Sequence, residues 1–136
     1  MTINPYLYFN GECATAFKFY ESCFNGRIVV MQTHGDSPMK EHVPVDWHDK
    51  VIHARLEVGD AVLLGSDAPP PHYGAPRGLD VSVTMASPHE AVRTFNALSQ
   101  NGTVRMPFEK TFWSAGFGMV VDRFGIPWMI NCEQGA

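Results

Sequence analysis

The segment KVIHARLEV, from Lys50 to Val58, alternates polar and apolar residues and carries three side chains that could do chemistry. Alternate side chains of a β-strand share one face, so His53, Arg55 and Glu57 would stand together. An imidazole beside a carboxylate and a guanidinium could perform acid–base catalysis or hold an anionic substrate. The alternative is a solvated strand face or a dimer contact. His53 is therefore the candidate catalytic residue, with that alternative open.

Two aromatic residues, Phe112 and Trp113, begin a second candidate region, FWSAGFGMVVDRFGIPWMIN, at residues 112–131. Five aromatic residues and three glycines fall within this stretch. Rings at its start could stack on a planar or apolar ligand, because aromatic side chains offer large contact areas at little rotamer cost. They could equally form a hydrophobic plug over the hairpin that follows.

The polar segment 35–49 fits neither the helical nor the strand period and contains Trp47, His42 and His48. A loop over a cavity mouth can act as a lid, and two histidines could bind a metal ion adventitiously. The alternative is that these side chains are merely solvated.

Composition excludes several classes of function. The 136 residues carry a net charge of −4 without any run of Lys and Arg, which gives no electrostatic reason to expect nucleic acid. No apolar run approaches the roughly 20 residues that span a bilayer. The N-terminus lacks the basic and apolar segments of a signal peptide, so we expect a cytoplasmic protein without membrane partners. The cysteines show no CxxC spacing and are expected to be free, packed thiols: Cys13, Cys23 and Cys132.

Hydrophobic periodicity predicts the elements that must position these side chains. Residues 10–26 have helical spacing, with Asn10 as the N-cap and Asn25-Gly26 as a left-handed C-terminal cap. A second helix is predicted from Ser87, where a Pro follows the cap and Glu90 completes a capping box. The predicted strands are 3–9, 27–34, 50–58, 61–67, 79–85, 104–110, 116–122 and 126–131.

The two halves of the chain repeat one pattern, β-α-β-β-β. Phe19 precedes Asn25-Gly26 by the same distance as Phe95 precedes Asn101-Gly102. Between the copies lies a segment with four prolines. We therefore predict one compact domain with a first module at 1–68, a Pro-rich linker at 69–77 and a second module at 78–136.

This tandem pattern resembles the vicinal oxygen chelate superfamily of glyoxalases, bleomycin-resistance proteins and dioxygenases. The resemblance rests on PYLYFNGECATAFKFY, VIHARLEVGDAVLLGSDA and TFWSAGFGMVVDRFGIPWMIN. It is narrower still to the PhnB-like branch, which also carries a 3-demethylubiquinone-9 3-methyltransferase domain name. The resemblance implies an α+β fold of tandem βαβββ modules whose curved mixed sheets enclose a cavity, commonly in a homodimer. The sequence has no Gly-rich strand-to-helix turn that would support the methyltransferase label.

Metal-dependent members of that superfamily place four His or Glu ligands on the first and last strands of the two modules. Carried onto this sequence, those positions fall near Pro5, Leu63, Asp80 or Val81, and Met129, each to within one residue. Proline, leucine and methionine do not supply the donors that a divalent ion needs. We therefore predict no metal at these positions and commit to no cofactor.

Three functional interpretations remain open at the level of sequence. The first is a protein that binds a small molecule in the cavity between its modules, without the usual metal quartet. The second is a metal-dependent lyase, isomerase or dioxygenase with displaced ligands, and the third is a non-catalytic interaction module with a filled cavity. The predicted ligand-binding residues are Phe9, His53, Arg55, Glu57, Phe112, Trp113 and Met129.

Overall fold

A computed structural model of the chain describes residues 1–133. The chain divides into two compact units, the first spanning Met1–Gly74 and the second beginning at Ala75. Each unit contains one helix and one four-stranded mixed sheet, which confirms the predicted α+β class and its tandem βαβββ modules. Among the described residues, no helix is long and apolar enough to cross a bilayer.

The first unit follows the order β-α-β-β-β. Its sheet, here the first sheet, has the strand order β1-β4-β3-β2, with β1 parallel to β4 and the other neighbours antiparallel. Two 3-10 turns, Lys40–His42 and Val45–Trp47, lie in the long connection between β2 and β3. The elements are β1 Tyr6–Phe9, α1 Cys13–Phe24, β2 Arg27–Thr33, β3 Val51–Val58 and β4 Ala61–Asp67.

The second unit repeats this topology. Its sheet, here the second sheet, has the strand order β5-β8-β7-β6, with β5 parallel to β8. The repeat in the sequence is thus a repeat of strand order and strand direction. The elements are β5 Val81–Met85, α2 Pro88–Ser99, β6 Thr103–Glu109, β7 Gly116–Val121 and β8 Pro127–Cys132.

Helix α1 packs its apolar stripe against one face of the first sheet. The rings of Phe17 and Tyr20 are fully buried and contact Phe9 of β1. Gly65 of β4 allows this close packing, because a Cβ there would stand 2.7 Å from the Phe17 ring and 2.9 Å from the Leu7 carbonyl oxygen. Each fully buried aromatic side chain contributes about 2–3 kcal/mol to folding, so this seam between α1 and the first sheet stabilises the unit substantially.

Helix α2 covers the second sheet in the same way. Phe95 approaches Gly118 of β7, where a Cβ would lie 2.7 Å from its ring. On β8, Trp128 is 1% exposed and Ile130 is fully buried. Ser87 accepts a hydrogen bond from the backbone N–H of Glu90 at 3.3 Å, which confirms the predicted N-cap.

The start of α1 differs from the prediction. The helix begins at Cys13 with Glu12 at the N-cap position, and Asn10 lies outside it, before the turn at Gly11 with φ of +89°. The cap comes instead from Asp67, at the end of β4, whose Oδ1 accepts the Cys13 N–H at 2.9 Å. The left-handed C-terminal cap at Asn25 is confirmed, with φ of 54°.

Asp67 also holds the start of β3. Its second oxygen, Oδ2, accepts the N–H of Val51 at 2.9 Å, and the whole residue is only 5% exposed. Both bonds are long-range, because the partners of Asp67 lie 54 and 16 residues away in sequence. In the second unit, Asp122 does hold a local turn, accepting the N–H groups of Phe124 and Ile126.

We predict that Asp67→Asn lowers the free energy of unfolding by about 3 kcal/mol, because the amide leaves one buried N–H donor facing another. Chemical denaturation of the full chain measures this change. Asp60→Asn, in the exposed turn after Gly59, is the matched control and should change stability by less than about 0.5 kcal/mol. Equal effects of the two substitutions would contradict the capping role.

We predict that Gly65→Ala lowers stability by about 2 kcal/mol, because the new methyl group would displace the Phe17 ring or the β1 backbone. Gly74→Ala is the control, since no atom lies within 4 Å of a Cβ built at that position. Thermal unfolding of both variants tests the difference. A Gly65→Ala protein as stable as the control would show that the seam between α1 and β4 is loosely packed.

Candidate functional site

The first sheet has a face opposite α1, which we call the helix-free face of the first sheet. Strand alternation assigns residues to this face. The side chains on the other face, toward α1, are buried: Leu7, Ala54, Leu56 and Leu63. Cross-strand register then places the neighbours on β2 and β4. The face comprises Tyr6, Tyr8, Val30, Gln32, His53, Arg55, Glu57, Leu64 and Ser66.

The predicted alternation along β3 is confirmed. Ala54 and Leu56 are fully buried, whereas His53, Arg55 and Glu57 are partly exposed. Arg55 Nε donates to Glu57 Oε2 at 3.1 Å, and the two side chains are 39% and 36% exposed. An ion pair this exposed contributes at most about 1 kcal/mol to stability. Its main consequence is the orientation it gives to the guanidinium.

Two tyrosines that the sequence interpretation missed lie beside His53. The Tyr6 and His53 rings are 6.1 Å apart and nearly parallel, at 25°, and the Tyr6 and Tyr8 rings are 5.1 Å apart. Both tyrosines are partly exposed, at 39% and 56%. The period of two within YLYF was the available signal, since it places both phenols opposite the buried Leu7.

Phe9, predicted to bind ligand, faces the other way. It is 1% exposed and packs on Phe17 and Tyr20 between the sheet and α1. The sequence alone did not show which side of β1 the helix covers. Phe9 therefore belongs to the core, and the aromatic surface of β1 is formed by Tyr6 and Tyr8.

The second sheet also has a helix-free face. A Cβ on Gly118 of β7 would meet Phe95 of α2, so the neighbouring Phe117 points away from the helix. Phe117 pairs in register with Asn131 of β8, whose Oδ1 is buried without a hydrogen-bond partner among the described residues. The sequence interpretation missed Asn131. The face comprises Ser82, Thr84, Phe117, Met119, Met129 and Asn131.

Phe112 and Trp113 extend this face as a chain of rings. Trp113 lies 5.5 Å from Phe117, and Phe112 lies 4.8 Å from Trp113. Phe112 is 90% exposed and Trp113 50% exposed, which does not fit a hydrophobic plug over the hairpin. The turn that carries them is held by Thr111, whose Oγ1 accepts the N–H groups of Trp113 and Ser114 at 3.3 and 3.1 Å.

The positions predicted for the superfamily's metal ligands lie at or next to residues that pair across the two sheets. Register pairs Tyr6 with Leu64 and Ser82 with Met129 on the helix-free faces, and each of these residues is at, or one position from, a predicted ligand position. A phenol, a hydroxyl, an alkyl chain and a thioether do not form the His and carboxylate donor set of a divalent ion. The carboxylate of Asp80 is bonded to the Arg105 guanidinium. These residues do not fit the superfamily quartet, and no three His, Cys, Asp or Glu side chains in the described range are grouped to hold an ion.

The long connection between β2 and β3 does not pair its two histidines. His48 Nε2 lies 2.7 Å from the Lys40 carbonyl oxygen and 3.2 Å from that of Val43, while His42 is exposed. His48 thus holds the connection together through the backbone. The interpretation of this segment as a lid stays a prediction.

Comparison with known proteins shows which proteins the whole chain resembles in sequence. A family model described as the Glyoxalase/Bleomycin resistance protein/Dioxygenase superfamily matches residues 2–130. Protein YjdN of Escherichia coli (strain K12) is 32% identical over 139 residues, which cover 96% of this chain and 95% of YjdN. The match therefore extends over both units.

Solved structures of similar proteins share the fold of this chain. The crystal structure of protein PA1353 from Pseudomonas aeruginosa is 47% identical with a TM-score of 0.88, and the alignment covers 99% of each chain. A putative 3-demethylubiquinone-9 3-methyltransferase, PhnB protein, from Bacillus cereus aligns at a TM-score of 0.80 with 23% identity, over 97% of this chain and 99% of that one. At 23% identity, the similarity to the Bacillus cereus protein shows a shared fold, as the resemblance to the PhnB-like branch implied.

The cysteines are free and buried, as predicted. Burial, reinforced by the nearby carboxylate of Asp67, raises the pKa of the Cys13 thiol well above its ordinary value. Because the thiolate is the reactive form and Cys13 is fully buried, we expect this thiol to be unreactive in the folded protein.

We predict that iodoacetamide at pH 8 leaves all three thiols unmodified in the native protein. Mass spectrometry of the intact chain measures the added groups. The same treatment in denaturant should modify Cys13, Cys23 and Cys132 fully, which controls for reagent activity. Modification of Cys13 in native protein would mean that α1 separates from the sheet at its N-terminus.

Proposed function

The chain belongs to the glyoxalase/bleomycin resistance protein/dioxygenase superfamily, and on that premise we propose that it binds a small organic molecule without the metal quartet of the metal-dependent members. The observation that carries the proposal is the helix-free face of the first sheet. It brings two partly exposed phenol rings, an imidazole and a guanidinium onto one surface. Apolar contact area with a few polar groups is the usual composition of a small-molecule site.

The second sheet supports the same proposal with different chemistry. Trp113 and Phe117 offer aromatic surface, and Met129 and Met119 pair in register beside them. Thioether side chains adapt their shape to apolar ligands. Of the predicted ligand-binding residues, His53, Arg55, Glu57, Trp113 and Met129 stay in the proposal, and Phe112 stays as the outer ring of its chain.

The two other interpretations have less support. A metal-dependent enzyme with displaced ligands needs a group of donors that residues 1–133 do not bring together. An interaction module with a filled cavity would pack its own rings, whereas Tyr8 and Phe112 are more than half exposed. The homodimer and the cytoplasmic location stay predictions.

We predict that at least one neutral or anionic compound in a broad metabolite panel raises the thermal midpoint of the purified full chain, because a ligand that binds only the folded state stabilises it. The protein should be purified without chelator and its metal content measured by mass spectrometry. Less than about 0.1 equivalent of any divalent ion is expected.

The same samples separate the three interpretations. A stoichiometric metal ion, together with turnover restored by that ion, would contradict the metal-free proposal. A panel without any stabilising compound would favour the interaction module. For a compound that does bind, His53→Gln tests the candidate catalytic residue: unchanged affinity and unchanged turnover would remove His53 from the site.

A further inference from the structure

One guanidinium on the first sheet has most of its donors unused. Arg55 stands between Leu64 of β4 and Val30 of β2 in the cross-strand register. Its Nε donates to Glu57 Oε2 at 3.1 Å, and within residues 1–133 it makes no other hydrogen bond or ion pair. The N–H groups on Nη1 and Nη2 are therefore available, on a side chain that is 39% exposed.

Glu57 gives that guanidinium a defined direction. The bond to Nε engages one side of the planar group and leaves the edge formed by Nη1 and Nη2 free. Two parallel N–H donors in one plane match the two oxygens of a carboxylate. Glu57 is in this sense a positioning residue, because it acts on a ligand through Arg55.

The local charge favours a ligand with one negative charge. Arg27 lies opposite Glu57 in the register of β2 and β3. Arg27 and Arg55 are cations and Glu57 is an anion, and beside Arg27 the Glu21 carboxylate accepts the Ile28 N–H at 2.7 Å. Because the Glu57 carboxylate lies next to the Arg55 guanidinium, a dianion would meet more repulsion there than a monoanion.

An aromatic surface lies at a fixed distance from this charge. Tyr6 pairs with Leu64, and Leu64 pairs with Arg55, so the three residues form one row across the sheet. Two strand spacings separate the Tyr6 and Arg55 backbones by about 10 Å. An aromatic ring with a carboxylate attached can lie over Leu64 in this row, beside the Tyr6 ring, which itself lies 6.1 Å from the His53 ring.

We propose that the first sheet binds a planar aromatic monocarboxylate. The carboxylate oxygens accept hydrogen bonds from Nη1 and Nη2 of Arg55, the ring lies on Leu64, and Tyr6 closes the far side. This inference rests on the proposed function and names the ligand class for it.

The test is a titration of the full chain by NMR with three probes of similar size: benzoate, its neutral counterpart benzamide, and the non-planar cyclohexanecarboxylate. Benzoate is expected to bind most tightly. Arg55→Lys keeps the charge but removes the paired donors, so it should weaken benzoate binding about tenfold or more and leave benzamide unaffected. Arg105→Lys, in the second unit, is the matched control and should leave benzoate binding unchanged, because Arg105 is bonded to Asp80.

Two results would overturn the inference: benzamide binding as tightly as benzoate, or Arg55→Lys binding benzoate as the unsubstituted chain does. Absence of benzoate binding would overturn it as well. The proposed function survives each of these if a compound of the metabolite panel still raises the thermal midpoint. If no panel compound binds, the proposed function fails too, so the two failures are distinguishable.

Discussion

The architecture of the first unit depends on one buried carboxylate. Asp67 lies at the end of β4 and accepts the first N–H of α1 with one oxygen and the first N–H of β3 with the other. A carboxylate that is only 5% exposed needs such partners, because burying it unpaired would cost several kcal/mol of folding free energy. The two bonds therefore tie the starts of α1 and β3 to the end of β4. In this arrangement α1 lies on the Leu7 and Ala54 side of the sheet.

The candidate site is a consequence of this placement. Once α1 covers one face, the period of two sends every other residue of β1, β3 and β4 to the opposite face. Tyr6 of β1 meets His53 of β3 there across the intervening β4, although the two residues are far apart in sequence. The bond from Arg55 to Glu57 then adds direction to what the strands bring together. The sheet sets the positions of these side chains, and the ion pair with Glu57 sets the orientation of the Arg55 guanidinium.

Local patterns predicted most of the fold, and their limits are physical. Periodicity found both helices, and the repeat of β-α-β-β-β found the tandem units. Asn10 was the wrong cap, because the distant Asp67 accepts the N–H of Cys13. Phe9 lies in the core, because α1 covers its side of β1. The Asp67 bonds link residues 54 and 16 positions apart, and no local pattern contains such information. Tyr6 and Tyr8 follow from the same alternation that found His53, since both lie opposite the buried Leu7.

The strand order of the first sheet also bears on how the unit forms during synthesis. β1 is made first, yet its only partner among the described strands is β4, with Tyr6 opposite Leu64. Asp67 also lies on β4, so the pairing of the edge strand β1 and the cap of α1 both require β4. Non-local parallel pairing of this kind gives a high contact order and slow closure. On the ribosome, β1 and the start of α1 would thus lack their partners until residue 67 has emerged, and the first unit would remain open until then.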